Sequence, residues 1–122
     1  MNWTETPAMH RLEQFLDLVA LRHELISSNL ANIDTPGYRT RDVDFSSALR
    51  RAGQWAEAGF EAGPAPARVR EVRGLIERPD GNNVSLERET VALARVQLLY
   101  RAAIELYRNE VHTLQSAINE GK

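Results

Sequence analysis

Three histidines and seventeen carboxylates are the side chains that could do acid–base or metal chemistry. His10 and Glu13 stand one helical turn apart, and His23 adjoins Glu24. Two such groups can touch a metal ion, but a stable site needs three or four ligands, and no HExxH spacing or third ligand accompanies either pair. Exposed or interfacial histidines are the plainer reading, for His112 as well. Ser27 and Ser28 lack a GxSxG context, and no glycine-rich loop is placed to cradle phosphate. The carboxylates are spread along the chain, not paired in the apolar setting that separates pKa values for acid–base work. Cysteine is absent, so disulfides and thiolate ligands are impossible. The sequence predicts no catalytic set, no cofactor and no metal, hence not an enzyme.

Binding to polyanions fares little better. Arg39 and Arg41 form one basic group and Arg68, Arg70 and Arg73 another, but Asp42, Asp44 and Glu71 are interspersed. The formal net charge is -2 and the pI about 5.9. Nucleic-acid surfaces are usually less diluted, so no nucleic-acid partner and no small-molecule substrate is expected. Asn2-Trp3-Thr4 and Asn83-Val84-Ser85 match a glycosylation pattern too common to weigh. The N-terminus lacks the basic start and apolar stretch of a secretory signal. No run approaches the ~20 apolar residues of a transmembrane segment. Taken alone, these features predict a cytoplasmic protein.

The informative residues are instead Asn29, Asn32 and the string Asp34-Thr35-Pro36-Gly37-Tyr38. The two asparagines lie about one helical turn apart, so their amides are available for hydrogen bonds on one face; a solvated polar face is the alternative. Pro36 fixes φ for the second position of a turn, and Gly37 tolerates the positive φ of a type II turn at the third. The residue before proline is pushed out of the helical region. A helix therefore ends here with a fixed exit direction.

Two long elements flank this turn. Residues 8–33 place Leu12, Leu16, Val19, His23, Ile26, Leu30 and Ile33 in steps of three and four, a heptad seam interrupted only by His23. Phe15, Leu18 and Leu25 form a second stripe. Residues 85–119 repeat the pattern with Leu93, Val96, Tyr100, Ala103, Tyr107, Val111, Leu114 and Ile118, and with Val91, Leu98 and Ala102 on a second stripe. Ser85 is placed to cap this helix, and Glu87 and Glu89 suit its positive end. Between the helices the signals weaken. Asp44 can cap a short helix with Phe45, Leu49, Ala52 and Trp55 on one face. Ala62–Ala67, AGPAPA, reads as linker. Val69, Val72, Leu75 and Ile76 suggest two short strands around Gly74, and Pro79-Asp80-Gly81 completes a type I turn. The expectation is a mainly α chain with two long amphipathic terminal helices and a small irregular or partly β middle segment. It forms one domain, 1–122, divided as 8–33, 34–84 and 85–119. A connection of this length permits parallel or antiparallel pairing of the helices. Their second stripes call for a further partner, most simply other subunits.

The string SNLANIDTPGY resembles the N-terminal signature of bacterial flagellar axial proteins, the rod, hook and hook-associated subunits. DGNNVSLERE, which ends at Glu89, resembles the family pattern leading into the last helix. Residues 12–45 and 80–118 share the likeness; Ser46 to Arg78 do not. DTPGY followed by RDVDF is similar to a proximal rod subunit. The resemblance implies an antiparallel coiled-coil-like hairpin, with Leu12, Leu16, Val19, Ile26 and Leu30 against Tyr100, Tyr107, Val111 and Leu114. Asn29 and Asn32 would bond between subunits, and Tyr38 would pack back on the helices. It further implies polymerisation into a hollow drive shaft that crosses the periplasm and transmits motor torque. Its partners would be other copies, other rod proteins, FliE and the flagellar export gate, with export that needs no cleaved signal peptide. Phe15 and Val19 have the spacing of an export-gate recognition signal; simple packing is the competing role for Phe15. Another rod subunit, or a coiled-coil adaptor or export chaperone, are the alternatives.

Overall fold

The computed structural model describes residues 6–57 and 67–121, apart from the side chains at 52 and 55–57. The order is α1 (Pro7–Ala31), β1 (Arg41–Val43), α2 (Phe45–Glu57), β2 (Val69–Glu71) and α3 (Leu86–Glu120). Thr6 caps α1 by accepting from the Met9 N–H at 3.1 Å, and Pro7 occupies the first turn, where its missing donor costs nothing. α1 stops two residues short of Ile33. There the Asn32 side chain donates to the Ser28 carbonyl at 2.8 Å, competing with the helical ladder.

The turn that follows is type II. The Tyr38 N–H donates to the Thr35 carbonyl at 3.2 Å, and Gly37 has φ 76°. A second turn, Arg78 to Gly81, closes with the Gly81 N–H on the Arg78 carbonyl at 2.9 Å. The two turns abut: the Gly37 N–H donates to the Asp80 carbonyl at 2.9 Å, and a Cβ on Gly81 would stand 3.4 Å from the Gly37 Cα.

The strand pairing differs from the expectation. β1 and β2 run antiparallel with Arg41 opposite Glu71, Asp42 opposite Arg70 and Val43 opposite Val69. Val72 only extends the ladder through its N–H to the Thr40 carbonyl at 2.9 Å, and Leu75 and Ile76 belong to no strand. Ile76 is 92% exposed, so no burial drives a hairpin around Gly74. α2 begins as expected, with the Ser47 N–H on the Asp44 carboxylate at 3.4 Å. The Ser47 side chain and backbone donors hold that carboxyl below the usual aspartate value; Arg70 and Arg50 reinforce them, and partial desolvation opposes. Phe45 is half-buried, while Leu49 stands at the rim with 36% exposure. The Ala52 and Trp55 face, and the linker reading of AGPAPA before Ala67, lie outside the described residues.

α3 starts where Ser85 accepts from the Arg88 N–H at 3.2 Å. It runs antiparallel to α1: Asn29 meets Glu89, Val19 and Ile26 pack on Val96, and Leu12 lies near Leu106. Two apolar clusters flank α1. One joins Val19, Ile26 and Val96 with Phe15, Leu30, Leu93 and Leu99 around them. The other joins Leu18 and Leu25 with Val43 and Ala48. The second stripe of α1 is thus covered by the chain's own middle segment and not by a neighbour, because β1 and α2 fold back over it. The second stripe of α3 stays open, with Val91 54% and Leu98 66% exposed. The α3 seam is also turned relative to the expectation. Val96 and Ala103 are buried, but Tyr100 is 50% exposed. Ala92 and Leu99, smaller or more flexible, pack against the α1 cluster instead.

Candidate interlock at the head of the hairpin

The least exposed polar side chains gather where α1 ends and α3 begins. Asn29, Thr40, Asn82, Asn83 and Glu89 are all buried, Glu89 with no exposed surface. Asn29 acts as a surrogate strand. Its Oδ1 accepts from the Arg41 N–H at 3.1 Å and its Nδ2 donates to the Arg41 carbonyl at 2.9 Å, as a neighbouring backbone would. The same Nδ2 donates to Glu89 Oε2 at 3.1 Å, and the Tyr38 hydroxyl donates to Oδ1 at 3.1 Å. The Tyr38 oxygen also lies 3.1 Å from the Ser28 hydroxyl. Both turn asparagines were expected to bond between subunits. Within this chain the polar atoms of Asn29 already have partners, and Asn32 bonds Ser28 and accepts from Thr35 Oγ1 at 3.0 Å. The Arg41 backbone and Glu89 hold the Asn29 amide inside the chain, while Asn32 bonds locally to the end of α1 and the turn.

Glu89 is a buried carboxylate near the positive end of α3, and Arg88 pairs with it at 2.5 Å. Arg88 also reaches Asp42 at 3.1 Å, and Asp42 accepts from Arg22 Nε and Nη2, both at 3.3 Å. Cation and anion alternate from α1 through β1 to α3, so each charge of this network has a partner, the condition under which buried charges are tolerated. A second set ties the two turns. Asn82 donates to the Asn32 and Thr35 carbonyls, both at 2.9 Å, and accepts from the Val84 N–H at 2.8 Å. Asn83 accepts from the Thr40 N–H at 2.6 Å, and Arg78 donates to the carbonyls of Ile33 and Val84. Asp34, Thr35, Pro36 and Gly37 form the exposed rim of this knot.

Reading the sequence missed Arg22, Asp42, Arg88, Asn82 and Asn83 as members. A signal for Glu89 was present: Glu89, Val96 and Ala103 follow at heptad spacing, which puts the carboxylate on the buried seam. The other anticipated residues are more dispersed. Leu16 and Leu30 are half-buried on α1, and Tyr107, Val111 and Leu114 half-buried on the far part of α3. Phe15 packs edge-on against Phe45 with centroids 5.7 Å apart, and Val19 is 1% exposed. Among the described residues no three His, Asp or Glu side chains gather as a metal site, and no helix is long and apolar enough to cross a membrane.

The arrangement ties α1, β1 and α3 together through buried polar side chains. A family model described as flagella basal body rod protein matches residues 20–39, the span that carries Arg22, Ser28, Asn29, Asn32 and Tyr38. The chain is 28% identical over 130 residues to the flagellar basal body rod protein FlgB of Yersinia enterocolitica, covering 93% of this chain and 95% of that one. To FlgB of Bacillus subtilis it is 26% identical over 122 residues, with the same coverage. To FlgB of Cereibacter sphaeroides it is 34% identical over 115 residues, covering 86% of this chain and 88% of the relative. The chain belongs to the FlgB family of flagellar basal body rod proteins. It is accordingly a structural subunit of the flagellar basal body rod. The residues matched by the rod-protein model hold the α1 side of the interlock and the whole type II turn, while its β1 and α3 sides, from Thr40 to Glu89, lie outside that match.

Proposed function

We propose that the chain is a subunit of the proximal part of the rod, polymerising through its terminal helices into the hollow shaft that carries motor torque. The observation that carries this reading is the asymmetry of the hairpin. Its head is fixed by a buried polar interlock, while α3 leaves a long apolar stripe uncovered. Torque requires a subunit that does not shear internally, and polymerisation requires surface left for neighbours. The whole chain, 1–122, acts as one structural unit, and its charged groups serve cohesion, not catalysis. FliE and the export gate are its proposed partners besides other rod proteins and further copies. It reaches the periplasm through the flagellar export route without a cleaved signal peptide.

Phe15 and Val19 serve packing in the folded subunit, since Val19 is sealed against α3. An export receptor could read the pair only with α1 detached from α3. Phe15→Ala separates the two roles: cytoplasmic accumulation of a stable chain indicates an export signal, whereas export without rod completion indicates packing. The decisive experiment for the function is cryo-electron microscopy of purified basal bodies that carry a tagged copy. Density for the tag at the proximal rod is expected. A chain retained in the cytoplasm as a small defined oligomer would instead mark an adaptor or export chaperone.

A further inference from the structure

α3 has 35 residues and α1 has 25. With Asn29 paired to Glu89 at the head, the last turns of α3 run past Pro7, roughly 15 Å beyond it at 1.5 Å per residue. Leu114 and Ile118 lie on this projecting part and Val111 at its base, at spacings of three and four, one apolar stripe. Glu110 stands at its base, flanking the stripe, without an ion pair among the described residues. Elsewhere, α1, α2 and α3 enclose an open groove of about 320 Å³. Its walls are almost wholly carbon, from Leu12, Phe15, Leu49, Leu99 and Leu106, with Arg11 at the edge. Arg50, next to Leu49, is exposed.

We propose that this groove seats the projecting end of α3 from a second copy of the chain; the proposal rests on the rod reading above. Stripe and groove match in polarity, and Glu110, flanking the one, complements Arg11 and Arg50 beside the other. Leu114 lies twelve positions after Ala102, a groove residue. A neighbour in the same orientation, displaced by about 18 Å along the helix axis, therefore brings its stripe level with the groove. Each copy then offers one projection and one groove. Such a heterologous contact does not close on itself and generates an open helical assembly.

The chain has no cysteine, so introduced thiols report without background. Leu49→Cys and Ile118→Cys fall at partly exposed positions, 36% and 41%. The two variants, differently tagged, are expressed together in a flagellated cell lacking the natural gene, and isolated basal bodies are oxidised mildly. A mixed disulfide dimer is expected, several-fold more abundant than from Leu49→Cys paired with Leu98→Cys. Leu114→Cys provides a second position on the stripe should Ile118→Cys fail to incorporate. Equal or greater yield with Leu98→Cys, a disulfide to a different basal-body protein, or complete labelling of Leu49→Cys by a soluble maleimide overturns the proposed contact. Absence of the chain from basal bodies overturns the rod reading, and this contact with it.

Discussion

Asn29 does at the residue scale what a third strand would do for a sheet. Its single amide satisfies both backbone groups of Arg41 and still reaches Glu89 and Tyr38. Replacing it with alanine removes four hydrogen bonds and leaves a buried carboxylate with fewer donors. The expected loss is roughly 2–4 kcal/mol, read as a lower midpoint in urea unfolding of the purified chain. Asn29→Asp should cost more, since it sets a second carboxylate beside Glu89 in a buried site. An unchanged midpoint for both would show that the interlock does not hold the hairpin head. Gly37 is a different case. A Cβ there meets nothing within 4 Å, so a substitution suffers only from the positive φ. Gly37→Val is expected to cost about 1–3 kcal/mol of backbone strain, and Gly37→Asn much less. In cells the valine variant should be exported and yet leave rods incomplete. Normal motility with the valine would mean that the turn can change geometry without harm.

At the scale of elements, capping chemistry was legible because it is local. Ser85, Thr35–Tyr38 and Asp44 do what their types and neighbours dictate. The strands were misread because β1, Arg41–Val43, is short and charged, and its partner lies far along the chain. Glu89 and Asn29 are likewise sixty residues apart, so their contact is a product of the fold and not of any local pattern. Two expectations follow from the elements. Asp44 ionises more readily in the folded chain, so its capping contribution is complete above the usual aspartate value, 3.8, and is lost as pH falls through the lower folded value. Asp44→Asn, still a good cap, should make amide exchange at Ser46–Ala48 insensitive to that acid range. If the wild-type profile persists in the variant, another group controls it. For α3, protection from hydrogen exchange in a verified monomer should be strong from Glu89 to Ala103 and weak from Val111 to Glu120, where α1 no longer runs alongside. Uniform protection along the helix would show that its far end has a partner within the same chain.

The whole molecule has one covered side and one open side. β1 and α2 lie over Leu18 and Leu25, so the apolar surface that α1 leaves for a neighbour is confined to the groove at Leu12 and Phe15. The back of α3 has no such cover: Val91 and Leu98 are 54% and 66% exposed. Single exposed apolar residues are ordinary on a monomer, but these recur along one helix that also carries Tyr100, Leu106 and Ile118 partly exposed. A subunit built for assembly explains the pattern, with α3 as the principal contact element and α1 as its internal support. Leu98 tests the assignment because it lies away from both intramolecular clusters. Leu98→Asp should leave the purified chain as stable as the wild type to within roughly 0.5 kcal/mol, as for other surface changes. In cells the same substitution should block incorporation into the rod, because assembly would bury an unpaired carboxylate between subunits. Fractionation of basal bodies checks the second outcome, and urea unfolding checks the first. Normal incorporation of the aspartate variant would mean that the back of α3 faces solvent in the rod, and the contact surface would have to lie elsewhere on the helix.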